Sequence, residues 1–446
     1  MEGIPDTRYA RAPDGTHLAY QVVGTGPVDL VYFQPYFSHI EYIWEEPRYE
    51  RFLRRLASFS RLILWDRRGC GLSDATTGHP DMETRMDDAR VVMDEVGSAR
   101  AVLYGASESG ALACLFAATH PDRTIGLVLI GTTPRMAWAP DFPWGETREE
   151  HEHAVGLIRD AWGTDGFVRE AWPGVADDQV VHWISGLCRN AMSPRAAAEY
   201  EEMIYGDDVR DILPAIQVPT MILHRQLDSP EANRYLAEHV RGAEYVALPG
   251  GEHLPFIGDQ DSVTSQIQRF VDSAQEEEAL INRQLATVLF TDIVSSTEAA
   301  ATLGDRGWSE VVERHHAAVR GLLSRYQGSE VDTAGDGFFA TFDGPARAAR
   351  CAQTIVEAVK PLGIQVRAGL HTGEVETIAG KTGGMAVVIG ARVGSLAQPS
   401  EVLASRTVRD LTAGSGLRFE DAGEHQLKGV PESWHLYRVL PRTTSA

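Results

Sequence analysis

The chain has few cysteines, no block of basic residues and no long apolar run. Cys70, Cys114, Cys188 and Cys351 are its 4 cysteines, scattered through 446 residues without a C-x-x-C pair. That argues against a disulfide framework or a thiolate zinc site and fits a reducing cytoplasm. The formal charge is −22, from 63 acidic against 41 basic residues. Without a Lys/Arg run, a surface that tracks nucleic-acid phosphates is not expected. The opening MEGIPDTRYARAPDG holds no apolar stretch of signal-peptide type. No apolar run reaches the length of a membrane span, and no long low-complexity tract appears. From these absences a soluble, cytoplasmic protein is expected, and the length predicts two or three domains.

What is present centres on Leu103-Tyr104-Gly105-Ala106-Ser107-Glu108-Ser109-Gly110. An apolar run, Ala101 to Tyr104, precedes it, and a small-residue, helix-prone run, Ala111 to Thr119, follows. A serine on a tight turn between strand and helix is the setting of a nucleophile elbow, where the strained turn lifts the hydroxyl toward a base. The positions two before and two after the serine must be small. Gly105 satisfies this, and Ser109 stands where glycine is usual. A chance Gly/Ser turn is the plainer alternative.

The surrounding pattern alternates strands and helices. Tyr9 to Arg11 and His17 to Tyr20 flank Pro13-Asp14-Gly15 as a hairpin. Val28 to Phe33, Leu62 to Trp65 and Ile125 to Ile130 are apolar runs of buried strands, with helical spacing over 51–59 and 81–96. This alternation implies a doubly wound, mostly parallel sheet. Together with WDRRGCGLSD at 65–74, the Ser107 turn and THPDRTIGLVLIGT at 119–132, it resembles the α/β-hydrolase fold over roughly residues 8 to 272. The resemblance implies a triad in the chain order serine, acid, histidine. Asp228, after the strand Thr220 to Leu223, stands at the acid's place. His253, after the strand Glu244 to Leu248, stands at the base's. Asp261 and Glu231 are alternative acids, and His224 reads as a structural strand-end residue. The oxyanion hole is expected from the N–H of Glu108 and a second donor after Phe33. Many relatives carry His-Gly there, whereas this chain has Gln34-Pro35; proline has no N–H, so Tyr36 is the expected donor.

Residues 134 to 212 break the sheet pattern and read as a helical cap. They carry five of the nine tryptophans, Trp138, Trp144, Trp162, Trp172 and Trp183. These either line an apolar pocket or form the cap's own core. A serine nucleophile under such a cap points to a small hydrophobic ester, thioester or lactone, with no cofactor.

A charged segment, 273–283, reads as a linker that can continue a helix to Asn282. Beyond it, Ala286 to Phe290 is a strand, Trp308 to Tyr326 a helix, and Glu330 to Thr333 with Phe338 to Phe342 a hairpin about Ala334-Gly335-Asp336-Gly337. Val366 to His371 is a further strand. Asp292, closing a strand, and Asp336, in the hairpin turn, can converge on hard cations that complete their shell with phosphate oxygens. LFTDIVSST, TAGDGFFATF, RAGLHTGEV, IGARVGSLAQPSEVLAS and HQLKGV together resemble the class III nucleotidyl cyclase catalytic domain over roughly 284 to 440. The two-domain order is similar to mycobacterial-type hydrolase–cyclase fusions.

That second resemblance implies a ferredoxin-like α/β fold, active as a homodimer, with ATP or GTP as substrate and two Mg²⁺ or Mn²⁺ ions. Asp292 and Asp336 match the metal aspartates, Ile293 offers a carbonyl, Arg392 matches the transition-state arginine and Lys428 the triphosphate lysine. Val388 stands where Asn or His orients the ribose, so turnover should be low. Asp332 and Lys381 stand at the purine-reading positions with their charges exchanged relative to adenylate cyclases. An acid facing N1 and a lysine facing O6 suit guanine; a salt bridge that reads nothing is the alternative. The chain is thus expected to be α/β throughout, with a hydrolase unit (1–272, cap 134–212) and a cyclase unit (284–446). Three functional readings compete: two active enzymes, an active hydrolase with a degenerate cyclase, or a hydrolase fold serving as a receptor for the cyclase.

Overall fold

The computed structural model describes residues 3–75, 80–226, 229–281, 283–378 and 381–441. The chain divides into two units, residues 1–278 and 279–446. In the first, β1 (Arg8–Arg11), β2 (His17–Val23) and β3 (Asp29–Phe33) lead to α1 (Pro47–Ala57), β4 (Arg61–Trp65) and α2 (Met82–Glu95). Then come β5 (Ala101–Ala106), α3 (Ser109–Thr119) and β6 (Thr124–Ile130). Four helices follow, α4 (Arg148–Ala161), α5 (Asp165–Ala171), α6 (Asp178–Ala191) and α7 (Pro194–Tyr205). The sheet resumes with β7 (Thr220–His224), α8 (Pro230–His239) and β8 (Glu244–Ala247), and α9 spans Gln260–Ile281. The charged segment after Asp272 is therefore helical as far as Ile281.

The eight strands order as β1-β2-β4-β3-β5-β6-β7-β8. β1, β2 and β4 pair antiparallel, and from β4 onward all neighbours are parallel. Helices cover both faces, so the central strand β5 is buried along its whole length and reads as one apolar run. One core holds α1, the cap and α9; the other holds α2, α3 and α8. The four-helix insertion sits between β6 and β7, within the span expected for a cap. Its starts are chemically marked: Thr147 and Glu150 form a capping box on α4, and Ser193 with Pro194 opens α7.

The second unit runs β9 (Arg283–Ile293), α10 (Ser296–Arg325), β10 (Ser329–Ala334), β11 (Gly337–Phe342), α11 (Pro345–Ala358), β12 (Val366–Ile378). It closes with β13 (Lys381–Gly383), α12 (Met385–Leu396), β14 (Val402–Ser405), α13 (Arg406–Leu411), β15 (Arg418–Gln426) and β16 (Ser433–Leu440). The sheet order β10-β11-β9-β12-β14-β16-β15 begins with the βαββαβ arrangement of a ferredoxin-like fold. Alternation along β9 divides the packing: Leu289 faces α10 and α11, while Val288 belongs to the opposite face. α12 covers that opposite face closely, because a Cβ on Gly369 of β12 would overlap the Gly394 nitrogen. α10 is broken at Gly304, whose φ of 67° and ψ of 166° are not helical.

Candidate functional site

Ser107 sits between β5 and α3 with φ of 55°, a strained value for a non-glycine residue. Its N–H donates to the Ile130 carbonyl at 3.0 Å, which ties the turn to the neighbouring strand. Helix and strand approach so closely that a Cβ on Gly105 would lie 2.7 Å from the Gly110 Cα. Ser109 is fully buried and does more than stay small. Its hydroxyl accepts from the Ala106 N–H at 3.2 Å and lies against the carbonyls of Ala106 and Phe33. A glycine could not make that tie.

His253 Nε2 is 3.1 Å from Ser107 Oγ, within reach for proton transfer. The expected acid, Asp228, lies outside the described residues. Of its alternatives, Asp261 is on α9 and paired with Arg51 at 2.7 Å, and Glu231 is an exposed residue in the first turn of α8. His224 is buried at the end of β7 and stacks on Tyr245. The loop carrying His253 is held by a residue that no motif or spacing marks out. Arg225, 1% exposed, donates to the carbonyls of Ile257 at 2.8 Å, Asp259 at 2.9 Å and Glu252 at 3.2 Å.

The oxyanion region departs from expectation. Tyr36 N–H donates to Glu108 Oε1 at 2.9 Å, so the anticipated second donor is occupied by a carboxylate. The same oxygen receives Arg67 Nη2 at 2.5 Å. Both members of that ion pair are buried, with side-chain exposures of 3% and 7%. The missing His-Gly is therefore accompanied by an acid on the residue after the nucleophile, fixed where it competes for the donor.

Ser107, Glu108 and His253 open on a cavity of 350 Å³ lined by Phe37, Leu157, Ile158 and Trp172. Trp172 alone of the five cap tryptophans lines it. Trp162 and Trp183 are core, the former donating to the Cys188 carbonyl at 3.0 Å, whereas Trp138 and Trp144 are exposed. Three further carboxylates, Glu146, Glu170 and Glu201, also line the cavity. Burial, and next the charge of Glu146, push the Glu201 carboxyl up to about 7. Tyr36 Oη donates to it at 3.0 Å.

In the second unit, β9 ends at Asp292 and Ile293, and the β10–β11 turn carries Asp336. Phe338 pairs with Thr291 across β11 and β9, which brings both aspartates to one end of the sheet. Arg367 lies directly opposite Asp292 on β12 and binds its Oδ2 at 2.5 Å and 3.0 Å. Asp336 Oδ2 is buried and has no hydrogen-bond partner among the described residues. An orphaned carboxylate oxygen at the sheet end that also carries Asp292 fits a divalent cation. Asp292 and Arg367 share a cavity of 190 Å³ with Ala391 and Ser395 of α12.

Arg392 is on α12, one turn beyond Val388, which is 40% exposed. Its Nε donates to the Lys428 carbonyl at 3.2 Å, so the expected transition-state and triphosphate residues are neighbours. Asp332 is exposed on β10 and accepts from the Thr333 N–H at 2.8 Å. Lys381 begins β13, paired through its backbone with Ile378; its side chain lies outside the described residues. Neither the guanine reading nor the salt-bridge alternative gains a contact from this.

Comparison with known proteins defines the class first. The model of the alpha/beta hydrolase family matches residues 36–265, over half the chain, and the protein belongs to that family. Residues 281–440 match the adenylate and guanylate cyclase catalytic domain, so a hydrolase unit is followed by a cyclase-type unit. The chain is 29% identical over 263 residues to a pimeloyl-[acyl-carrier protein] methyl ester esterase of Nitrosospira multiformis, covering 57% of this chain and 97% of that one. It is 30% identical over 285 residues to a non-heme haloperoxidase of Rhodococcus erythropolis, covering 59% and 99%. A bromoperoxidase structure from Bacillus anthracis covers 60% of this chain and 100% of its own at 17% identity with a TM-score of 0.53, a likeness of fold. No helix among the described residues is long and apolar enough to cross a membrane.

Proposed function

We propose that the first unit cleaves carboxylic esters, thioesters or lactones of small hydrophobic molecules, and that the second forms a 3′,5′-cyclic nucleotide and diphosphate from ATP or GTP. The observation that carries the hydrolase reading is the Ser107 hydroxyl, on a strained turn, 3.1 Å from His253 Nε2 at the wall of an apolar cavity. His253 takes the serine proton as the hydroxyl attacks the carbonyl and returns it to the leaving alcohol. Asp228 is assigned to orient the imidazole and stabilise its cation. The Glu108 N–H meets the developing oxyanion. The similarity to a pimeloyl-[acyl-carrier protein] methyl ester esterase supports ester chemistry. The test is hydrolysis of short and medium p-nitrophenyl esters: wild type turns over, and Ser107→Ala does not.

In the cyclase unit, Asp292, the Ile293 carbonyl and Asp336 are the residues that would hold two Mg²⁺ or Mn²⁺ ions. When bound, such ions supply activation of the ribose 3′-hydroxyl and charge neutralisation on the triphosphate. Lys428 binds the triphosphate and Arg392 stabilises its developing charge. The unit acts as a homodimer, a reading supported by exposed Met385, Val388 and Leu396 on α12. A specific observation favours a second reading, a degenerate cyclase that dimerises or senses nucleotide. Val388 offers the ribose no hydrogen bond, and Asp292 is already paired with Arg367. Cyclic nucleotide formed with Mn²⁺ and ATP or GTP, against Asp292→Ala as blank, separates the two readings.

A further inference from the structure

The cap holds a second cluster of chemistry-bearing groups, apart from the Ser107–His253 pair. Glu146, just before α4, His151, in its first turn, and Glu201, on α7, each bring one ligand atom within 4.8 Å of the others. His151 is completely buried. Its Nε2 is 3.3 Å from Glu202 Oε2, while its Nδ1 is 4.0 Å from Glu146 Oε2. Neither Nδ1 nor that Glu146 oxygen has a hydrogen-bond partner among the described residues, although both atoms are buried.

Either tautomer of the ring leaves one lone pair facing a carboxylate, a gap that a bound cation would fill. If Nε2–H donates to Glu202, Nδ1 presents a lone pair to the lone pairs of Glu146. If the tautomer is reversed, Nε2 faces Glu202 in the same way. A second ring proton would answer the charge, but 4.0 Å is too long for the hydrogen bond it would have to make. A carboxylate behind one imidazole nitrogen, with the other nitrogen turned toward Glu146, is the way proteins orient a metal-ligating histidine.

We propose that Glu146, His151 and Glu201 form a binding site for one divalent cation of the zinc class. One imidazole and two carboxylates suit Zn²⁺ or Co²⁺. Bonds of about 2.1 Å hold tetrahedral ligands roughly 3.4 Å apart, so the cluster closes by about 1 Å around the ion. Three protein ligands leave an open position. Glu146 and Glu201 both line the cavity that holds Ser107, so that position faces the cavity and takes a polar group of whatever occupies it. Glu202 is a positioning residue that fixes the imidazole.

The test is titration of the full-length chain with Co²⁺, followed through its visible ligand-field bands. Asp292→Ala and Asp336→Ala are included to silence the cyclase-type carboxylates. One equivalent with tetrahedral or five-coordinate bands is expected, and Zn²⁺ should displace it. His151→Gln and Glu201→Gln should abolish the signal, and Glu202→Gln should weaken binding about 10–100-fold. Far-UV circular dichroism of each variant separates lost ligation from lost fold, and Glu202→Gln, outside the ligand set, keeps the test open if a ligand variant misfolds. No Co²⁺ bands at saturating metal, meaning water or a proton alone fills the gap, overturns the proposal. So does binding that folded His151→Gln retains unchanged.

Discussion

The buried Arg67–Glu108 pair gives the sharpest test of how the serine site is set. Glu108 Oε1 takes both the Arg67 guanidinium, at 2.5 Å, and the Tyr36 N–H, at 2.9 Å. Glu108→Leu should free the Tyr36 N–H but strand a guanidinium that is 3% exposed. Breaking one side of such a pair costs about 3–5 kcal/mol, a fall in melting temperature on the order of 10 °C for a unit of this size. Removing both charges is different. Arg67→Met with Glu108→Leu eliminates the stranded cation and leaves the Gln34 carbonyl without its 2.7 Å donor, a loss of about 1 kcal/mol. The double variant should therefore melt within a few degrees of wild type. It should also gain an oxyanion donor, and one such donor is worth about 10²–10³ in kcat. Stopped-flow p-nitrophenyl ester hydrolysis beside differential scanning calorimetry measures both quantities. A well-folded double variant no faster than wild type refutes the idea that Glu108 occupies the hole, and a double variant as unstable as the single refutes the ion-pair argument.

Other expectations follow from separate parts of the molecule. Ser107→Ala should abolish ester cleavage, to less than about one part in 10³ of wild type, and leave any cyclic-nucleotide formation intact; loss of both in a folded protein would mean the two activities are coupled. His371, buried on β12, has its imidazole pushed down to about 4 by burial, against an ordinary 6.5 when unfolded. Its neutral form therefore supports the fold above pH 6.5, and that support drains as pH falls toward 4, about 3 kcal/mol in all. His371→Gln should flatten the urea-midpoint profile of the second unit between pH 6.5 and 4, and an unchanged profile would remove His371 as the cause. Asp332→Lys combined with Lys381→Asp should move nucleotide preference from GTP toward ATP in a cyclic-nucleotide assay; equal preference before and after would leave the pair with no part in base reading.

The sequence and the structure agree where the information is local, and part company where it depends on register. β5 and the Ser107 turn were legible because an apolar run, a glycine and small helix residues stand next to one another. The βαββαβ start of the second unit was legible for the same reason, since strand and helix periodicities identify each element independently. The oxyanion region was not. Gln34-Pro35 signalled a departure, but Glu108 meets Arg67 from 41 positions away and Tyr36 from 72, contacts that no spacing announces. Arg225 reads as one more residue after a strand until the 252–259 loop is seen folded over it. The tryptophans make the point from the other side: five of one type in one segment have three fates, because α4–α7 packing, and no property of tryptophan, decides which faces the cavity. Arg367 is the most instructive case. Its identity was plain in RAGLHTGEV, yet only the β12–β9 register sets it opposite Asp292. There the guanidinium must yield before that carboxylate can serve a cation. On the proposed cyclase reading, an Asp292 held by a cross-strand arginine and a valine at position 388 would be two separate reasons for slow turnover. Arg367→Gln should relieve one of them alone, raising Mn²⁺ affinity without restoring the contact that Val388 lacks.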